Sequence, residues 1–387
     1  MPWTATKPTT FSRRGLLAAL GGLATLPLFA KTGLGNSLLS VPVDTPLFAN
    51  AFKDASGGYG IAILDDIGQI QAQVTLPARG HGVAVSGDGQ CLAAFARRPG
   101  TFAVVAWPFS ERPLQTLVAS EGRHFYGHGC FSKDGRLLYA VENDFENARG
   151  AVGIYDVTGA NVFRLGEFDS HGIGPHEVLM SPDGQTLIVA NGGIETHPDR
   201  AREKLNLKTM SPSVVFLDAG TGDLLAEHRL DPSLHQLSLR HMALDEQGRA
   251  WVGGQFEGPE DETPPLVAVI SRDEAPVLTG LPTHLTGKLQ NYIGSVTANA
   301  EGSVIATSAP RGGKTLFWNA KNGTFIGHQD IPDGCGVAPI DQGNFLISDG
   351  NGGVSYVADA EDGAEILARP PGFAWDNHLT ALGRTLV

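Results

Sequence analysis

One feature constrains the fold more than any other: a short apolar strand, a polar turn ending in glycine and a second apolar strand recur along the chain. The turn glycines of the seven copies are Gly89, Gly135, Gly184, Gly248, Gly302, Gly343 and Gly383. They are spaced by about 40–50 residues, the usual length of a propeller blade, apart from a longer interval after Gly184. Most copies are followed by two further strand-like runs joined by a polar turn. Four antiparallel strands per unit, repeated seven times, predict an all-β, seven-bladed β-propeller.

The two ends of the repeat predict how the ring closes. The first strand-like runs, at residues 47–52, 59–66 and 69–76, lack a preceding inner strand, and the last run, at residues 378–387, lacks outer partners. Together these runs make one blade, and sharing a blade between the termini removes the exposed sheet edges. We therefore predict a single domain over residues 45–387. Seven separate hairpins would instead leave the apolar face of each unit exposed.

The N-terminal segment predicts export. Arg13 and Arg14 precede an apolar run over residues 16–30, which is too short to cross a bilayer comfortably. This pattern is typical of a twin-arginine signal over residues 1–30, followed by a linker over residues 31–44. An ordinary secretory signal is the alternative, and it leads to the same compartment. The mature protein is expected in the periplasm, without a membrane span.

The charge and the cysteine content exclude some binding partners and a disulfide-stabilised fold. The net charge of −13 opposes binding to nucleic acid, because phosphate backbones require a basic surface. Three cysteines make no disulfide framework. Cys91 and Cys130 lie in apolar, strand-like runs typical of inert buried thiols. Cys335 lies in a turn between two glycines and is a candidate ligand-binding residue.

Imidazole side chains are concentrated at the entries to the predicted inner strands. The candidate metal ligands are His81, His128, His176, His241 and His378. Neutral imidazoles that converge on a channel suit transition metals, and iron or copper is the expected cofactor. The blade order predicts that the first four line one side of the channel mouth. The alternative is that they are structural histidines bonded to neighbouring turns.

A long insertion, residues 191–213, accounts for the extended interval and is expected to overhang the same mouth. Its candidate ligand-binding residues are Glu195, His197, Arg200, Arg202, Glu203 and Lys204, and Arg240 lies beside one of the candidate ligands. We expect His197 to reach the channel from above, and Arg200 and Arg202 to favour an anionic ligand or a carboxylate on a partner. The alternative is a solvated lid held by its own ion pairs.

Residues 191–207, together with Gly174–Glu177 and the twin-arginine leader, resemble the signature of domain-of-unknown-function family 1513. These are exported bacterial propellers similar to the YVTN-repeat and quinoprotein-dehydrogenase-like propellers. The resemblance implies a periplasmic role in iron acquisition beside imelysin-type iron-uptake proteins and a di-haem oxidoreductase. The resemblance identifies no catalytic residues.

Three functions are compatible with these patterns: a periplasmic binding protein for a transition metal or metal-bearing ligand, a propeller enzyme such as a lactonase or dehydrogenase, and a protein-docking scaffold without metal. The sequence contains no G-x-S-x-G elbow, no dinucleotide-binding glycine fingerprint and no C-x-x-C-H haem site. It therefore favours binding over catalysis.

Overall fold

A computed structural model describes residues 45–200, 203–341 and 343–383. Their strands form seven four-stranded antiparallel sheets. The sheets form a ring, so the predicted seven-bladed propeller is confirmed. The predicted export signal at residues 1–30, the linker at residues 31–44 and Arg202 lie outside the described residues.

The strands follow one another from the channel outwards in each blade, except in blade 1. Blade 1 begins with β1 (Leu47–Asp54), β2 (Tyr59–Asp65) and β3 (Ile70–Leu76). Blade 2 contains β4 (Gly80–Val85), β5 (Leu92–Ala96), β6 (Phe102–Ala106) and β7 (Gln115–Val118). Blade 3 contains β8 (Arg123–Phe131), β9 (Leu137–Asp144), β10 (Arg149–Asp156) and β11 (Phe163–Asp169). Blade 4 contains β12 (Pro175–Met180), β13 (Thr186–Asn191), β14 (Ser213–Asp218) and β15 (Leu224–His228).

The remaining blades repeat the same order. Blade 5 contains β16 (Leu237–Leu244), β17 (Ala250–Phe256), β18 (Val267–Ile270) and β19 (Val277–Leu278). Blade 6 contains β20 (Ser295–Ala298), β21 (Val304–Ala309), β22 (Lys314–Asn319) and β23 (Phe325–Asp330). Blade 7 contains β24 (Gly334–Pro339), β25 (Phe345–Asp349), β26 (Val354–Val357) and β27 (Ala364–Ala368), and β28 (Phe373–Leu382) then returns to blade 1. The helical segments are α1 (Thr283–Thr286) and 3₁₀ turns at Pro198–Arg200, Leu207–Thr209, Pro232–Leu234, Gly287–Leu289 and Pro310–Gly312.

The two ends of the described chain close the ring, as predicted. Strand β28 pairs antiparallel with β1, and the paired residues run from Leu47 and Leu382 to Asp54 and Phe373. β28 is therefore the innermost strand of blade 1, so the inner edge of β1 is covered. None of the described helices has the length and apolar character needed to span a membrane.

The turn that defines the repeat has a clear physical basis, seen best in blade 4. The Ser181 hydroxyl donates a hydrogen bond to Asp183 and accepts one from the backbone N–H of Thr186. Asp183 also accepts the backbone N–H of Gln185. Gly184 has a φ of +78°, a left-handed conformation that disfavours any side chain. This bonding pattern explains why serine, aspartate and glycine recur together.

The apolar core is divided between the blades instead of lying at the centre. In the described residues, seven apolar clusters form, one between each pair of neighbouring blades. The rings of Trp251 and Trp318 pack across blades 5 and 6 with centroids 6.4 Å apart. Burying one large apolar side chain contributes about 1.5–3 kcal/mol to folding. Because the blade interfaces supply this stability, the channel is left for polar side chains.

Candidate metal centre

Five histidines from the inner strands of five consecutive blades meet in the channel; we call them the histidine cluster. They are His378 of blade 1, His81 of blade 2, His128 of blade 3, His176 of blade 4 and His241 of blade 5. The ring centroids of His241 and His378, which come from opposite ends of this series, are only 4.6 Å apart. Those of His128 and His378 are 4.7 Å apart. The rings therefore converge across the channel, whereas the blade order alone predicts that four of them line one side of its mouth.

β-Bulges direct these side chains towards the channel. The pairing of each inner strand shifts register around its histidine, between Gly80 and Val83 in β4 and between Phe125 and Gly129 in β8, for example. Register shifts also occur beside the histidines of β12, β16 and β28, although in β16 the unpaired residue is Arg240 and His241 pairs with Gly253. A bulge adds an unpaired residue and redirects its side chain. The extra residues also explain why the histidines lie at variable distances from the turn glycines.

Two glycines allow the first two rings to approach each other. A Cβ atom at Gly82 would lie 2.5 Å from the carbonyl oxygen of Gly127 and 2.8 Å from Nδ1 of His128. A Cβ atom at Gly127, whose φ is +104°, would lie 2.7 Å from Cδ2 of His81. Only glycine fits these contacts without displacing an imidazole. Gly82 and Gly127 therefore permit the close packing of His81 and His128.

The cluster presents nitrogen atoms in two overlapping groups. One group is His81, His128 and His378, the other is His128, His176 and His241, and the ligand nitrogens of each lie within 4.8 Å of one another. The buried atoms His128 Nε2, His176 Nδ1, His241 Nδ1 and His378 Nε2 have no hydrogen-bond partner among the described residues. Burial lowers the pKa of each of these four imidazoles well below its ordinary value. They are therefore neutral, the state that binds iron, copper or zinc.

A buried carboxylate orients the fifth histidine. Oδ1 of Asp376 lies 2.8 Å from Nδ1 of His81, and Asp376 also accepts hydrogen bonds from Arg79 and Arg97. Burial raises the pKa of Asp376, but the hydrogen bond with His81 and the nearby cations outweigh it and hold the pKa far below its ordinary value. The ionised carboxylate favours the His81 tautomer with Nδ1–H, which leaves the Nε2 lone pair available. A carboxylate–histidine pair of this kind is the usual support of a metal-ligating imidazole.

A second acidic side chain, Glu177, lies beside the cluster. Its Oε1 atom is 3.7 Å from Nδ1 of His128, and its Oε2 atom is 3.7 Å from Nδ1 of His241. Oε2 accepts the backbone N–H of Met242 at 2.7 Å. Burial raises the pKa of Glu177, and the neighbouring His128 opposes that shift. Sequence reasoning missed Glu177 as a site residue because strand alternation places consecutive side chains on opposite faces, and only a bulge lets both His176 and Glu177 reach the channel.

Two cavities lie on either side of the cluster. The upper cavity, of about 100 Å³, opens on the face that carries the inner-strand entries and the loops between second and third strands. Its lining includes His81, His176, His241, Arg97, Arg98, Arg240, Tyr126, Tyr292, Ser238 and Asn377. The lower cavity, of about 280 Å³, is lined by His128, His378 and Glu177 and mainly by small or apolar inner-strand residues. Each cavity thus reaches a different part of the cluster.

The insertion lies between β13 and β14, as predicted, and of its described residues only those at its start line the upper cavity. Gly192 and Ile194 do so. The next turn is tied to blade 3, because Thr196 contacts the hydroxyl of Tyr126 at 3.2 Å and its carbonyl accepts Asn143 Nδ2 at 3.2 Å. The start of the insertion therefore forms part of the cavity wall and is held against blade 3.

The structure places the other predicted ligand-binding residues away from the cavity lining. His197 packs edge-on against Phe145 with ring centroids 5.0 Å apart. Arg200 pairs with Glu203 on the exposed surface. The backbone N–H of Glu195 donates to Asn206 at 2.7 Å.

Three further predicted positions differ in their surroundings. Lys204 pairs with Glu257, which also lies 3.2 Å from Arg240, so Lys204 is linked to the cavity through one carboxylate. Cys335 is buried at the start of β24, and its thiol donates to the Asp333 carbonyl. Burial raises the pKa of this thiol. Of the predicted ligand-binding residues outside the histidines that the structure describes, only Arg240 lines the upper cavity.

Sequence reasoning missed most of the cavity's polar lining. Arg97 and Arg98 directly follow the buried strand β5, and this adjacent pair was the one available signal. Tyr126, Tyr292 and Asn377 carry no local pattern that separates them from other strand and loop residues. They belong to blade 3, the segment entering blade 6, and blade 1, and they share a location because the ring brings these segments to one mouth of the channel.

The model of a family described as "Protein of unknown function (DUF1513)" matches residues 74–382 of the chain. No curated protein sequence is significantly similar to this chain. Among solved structures, the Pseudomonas aeruginosa periplasmic gluconolactonase is similar with a TM-score of 0.60 and 14% identity, covering 88% of this chain and 100% of that one. The Kuenenia stuttgartiensis hydrazine synthase is similar with a TM-score of 0.58 and 16% identity, covering 84% of this chain and 98% of that one. At such low identity, these similarities establish the shared fold alone.

Proposed function

The chain belongs to the DUF1513 family, and from this premise we propose that it is a periplasmic propeller that binds a transition metal, iron or copper, at the histidine cluster. The observation that carries the proposal is the convergence of five buried imidazoles, four of which have a nitrogen without a hydrogen-bond partner among the described residues. Leaving a buried polar atom unpaired costs about 1–3 kcal/mol. A cation that accepts several of these lone pairs would remove that cost.

The donor set suits such a metal on three counts. The four imidazoles with unpartnered nitrogens are neutral, His81 is oriented by Asp376, and Glu177 adds a carboxylate beside His128 and His241. Either group of three histidines can supply the protein ligands, and His128 is common to both. A bound metal would supply Lewis-acid or redox chemistry at a position reached from the upper cavity. These features support metal binding over a purely structural role.

A role in iron acquisition is part of the same proposal. It is supported by the resemblance to exported propellers associated with imelysin-type iron-uptake proteins, and by Arg13 and Arg14 in the predicted leader. Replacing both arginines with lysine should retain the protein in the cytoplasm, as measured by fractionation. Normal export of that variant would favour the general secretory route.

The decisive experiment is metal analysis of the protein purified from the periplasm, with His128→Ala as the test variant. His128 is chosen because it belongs to both ligand groups. We expect about one equivalent of iron or copper in the native protein and a loss of most of it in the variant. The matched control is His284→Ala, because His284 is exposed in α1, away from the channel. A native protein without metal, or a variant that keeps its metal, would overturn the proposal.

A propeller enzyme, such as a lactonase or dehydrogenase, is the second candidate. The observation that favours it is the polar upper cavity beside the histidine cluster, which would give a small substrate access to a metal held there. Lactone hydrolysis or alcohol oxidation by the metal-loaded protein, lost in His128→Ala, would support it. A docking scaffold predicts neither activity nor metal.

A further inference from the structure

We infer that the upper cavity binds a small carboxylate, of the size of oxalate or malonate, that contacts the metal at the histidine cluster. The inference rests on the proposed metal site and names the ligand class that would approach it. It is carried by the charge and hydrogen-bonding character of the cavity lining.

Among the described residues, the cavity lining contains three arginines and no carboxylate. Arg97, Arg98 and Arg240 all line it. Asp376, just outside the lining, is shared by Arg79, Arg97 and His81. Its single negative charge is shared by two guanidinium groups, those of Arg79 and Arg97, so it cannot neutralise both.

The carboxylate that pairs with Arg240 is also shared between two cations. Glu257 pairs with both Arg240 and Lys204. Arg98 has no carboxylate within ion-pair distance among the described residues, and Arg311 adds a positive charge over the Tyr292 ring at 4.7 Å. The mouth is therefore locally cationic in a chain with a net charge of −13. A local excess of this sign attracts anions.

The neutral groups of the lining add further hydrogen-bond donors. The Ser238 hydroxyl accepts a hydrogen bond from Arg240 and the Tyr292 hydroxyl accepts one from Asn377, so each keeps its own O–H to donate, whereas the Tyr126 hydroxyl contacts Thr196. The guanidinium groups present planar pairs of N–H donors that match the two oxygens of a carboxylate. Because the guanidinium groups are positively charged and only donate hydrogen bonds, the part of the lining away from the histidines favours an oxyanion over a neutral sugar.

The position of the histidines selects the kind of anion. His81, His176 and His241 belong both to this lining and to the histidine cluster. An anion held by the arginines can therefore place a second oxygen at the metal. A dicarboxylate has one carboxylate for each task, and a volume of about 100 Å³ restricts the ligand to a small one.

The test is isothermal titration calorimetry of oxalate and malonate, with phosphate and sulfate as comparison anions, against metal-free and Cu(II)-loaded protein. We expect both carboxylates to bind more tightly than phosphate or sulfate. Loading with copper should tighten carboxylate binding and shift the copper absorption band. Arg98→Gln should weaken binding at least tenfold, and Arg98→Lys should have an intermediate effect because it keeps charge but loses the planar donor pair. Arg200→Gln is the matched control, since Arg200 lies on the exposed surface of the insertion.

Circular dichroism establishes that each variant is folded. Equal affinities of native protein and Arg98→Gln would overturn the inference, as would tighter binding of phosphate than of either carboxylate. Failure of the metal proposal is distinguishable: the metal-free protein would still bind malonate through Arg98, but copper would neither bind nor change that affinity. That result would retain the anion site and reject its contact with a metal.

Discussion

Oδ1 of Asp376 lies 2.8 Å from Nδ1 of His81, and the two residues belong to the inner strands of adjacent blades. Asp376 comes from the last strand of the described chain and His81 from the first complete blade. The closure that completes the ring therefore also orients one imidazole of the histidine cluster. Stability and site geometry are coupled at this contact.

Removing the charge of Asp376 should weaken metal binding without emptying the site. Asp376→Asn is expected to lower metal affinity about 10–100-fold, because the carboxylate supports the ligating form of His81. Competition with a chelator of known affinity measures the change. Asp261→Asn, at an exposed position, is the control, and an unchanged affinity in Asp376→Asn would contradict the role assigned to this pair.

The same carboxylate predicts that the free energy of unfolding decreases at acid pH. Because the pKa of Asp376 is lowered by folding, its contribution is present above the ordinary aspartate pKa of about 3.9 and is lost as the pH falls towards the folded value. Urea unfolding between pH 5 and pH 3 should show a shallower loss of stability in Asp376→Asn than in native protein. Parallel curves would contradict this prediction.

The histidine cluster should destabilise the metal-free protein in mild acid. Burial lowers the pKa of these imidazoles, so below about pH 6.5 the unfolded chain takes up protons that the folded chain does not. Each such histidine removes about 1.4 kcal/mol of stability per pH unit in this range. His378→Gln removes one of these groups. Its unfolding free energy should therefore change with pH by about 1.4 kcal/mol per pH unit less than that of the native protein. Burial lowers the pKa of His124 to about 4, and this residue contributes equally to the pH dependence of both proteins. Identical slopes for the native protein and His378→Gln would argue against a neutral, buried His378.

A methyl group at Gly82 should displace His128. The added Cβ would lie 2.8 Å from Nδ1 of His128 and 2.5 Å from the Gly127 carbonyl, closer than unstrained packing allows. Gly82→Ala is expected to cost about 1–3 kcal/mol of stability and to lower metal content. Gly280→Ala is the matched control, because a Cβ there meets nothing within 4 Å. Full metal content in Gly82→Ala would show that this close approach is not needed for ligation.

Truncation tests the shared blade. Deleting residues 378–387 removes half of β28 and uncovers part of the inner edge of β1, together with the apolar contacts of Leu379 and Leu382. We expect a large drop in thermal midpoint or loss of soluble protein. Deleting only residues 384–387 leaves β28 intact and is the control. Equal melting of both truncations would contradict closure by this strand.

The blade repeat and its closure were predictable from the sequence because their determinants are local. A turn such as Ser181 to Gly184 makes its hydrogen bonds within a few residues, and strand periodicity is visible in any short window. The same locality placed His81, His128, His176, His241 and His378 at the entries to inner strands. Sequence alone thus determined the architecture and the candidate imidazoles.

Only the tertiary structure decided how those imidazoles meet and what surrounds them. The bulge that lets both His176 and Glu177 face the channel depends on how β12 pairs with β13. The alternation of side chains along one strand does not reveal this pairing. Arg98 and Arg240 come from blades 2 and 5 and share a cavity only because the ring brings their loops to one mouth. Arg200, which sequence reasoning favoured for anion binding, instead faces solvent. The physical reason is that local hydrogen bonds and burial patterns act over a few residues, whereas a channel site is assembled from chain segments that only ring closure brings together.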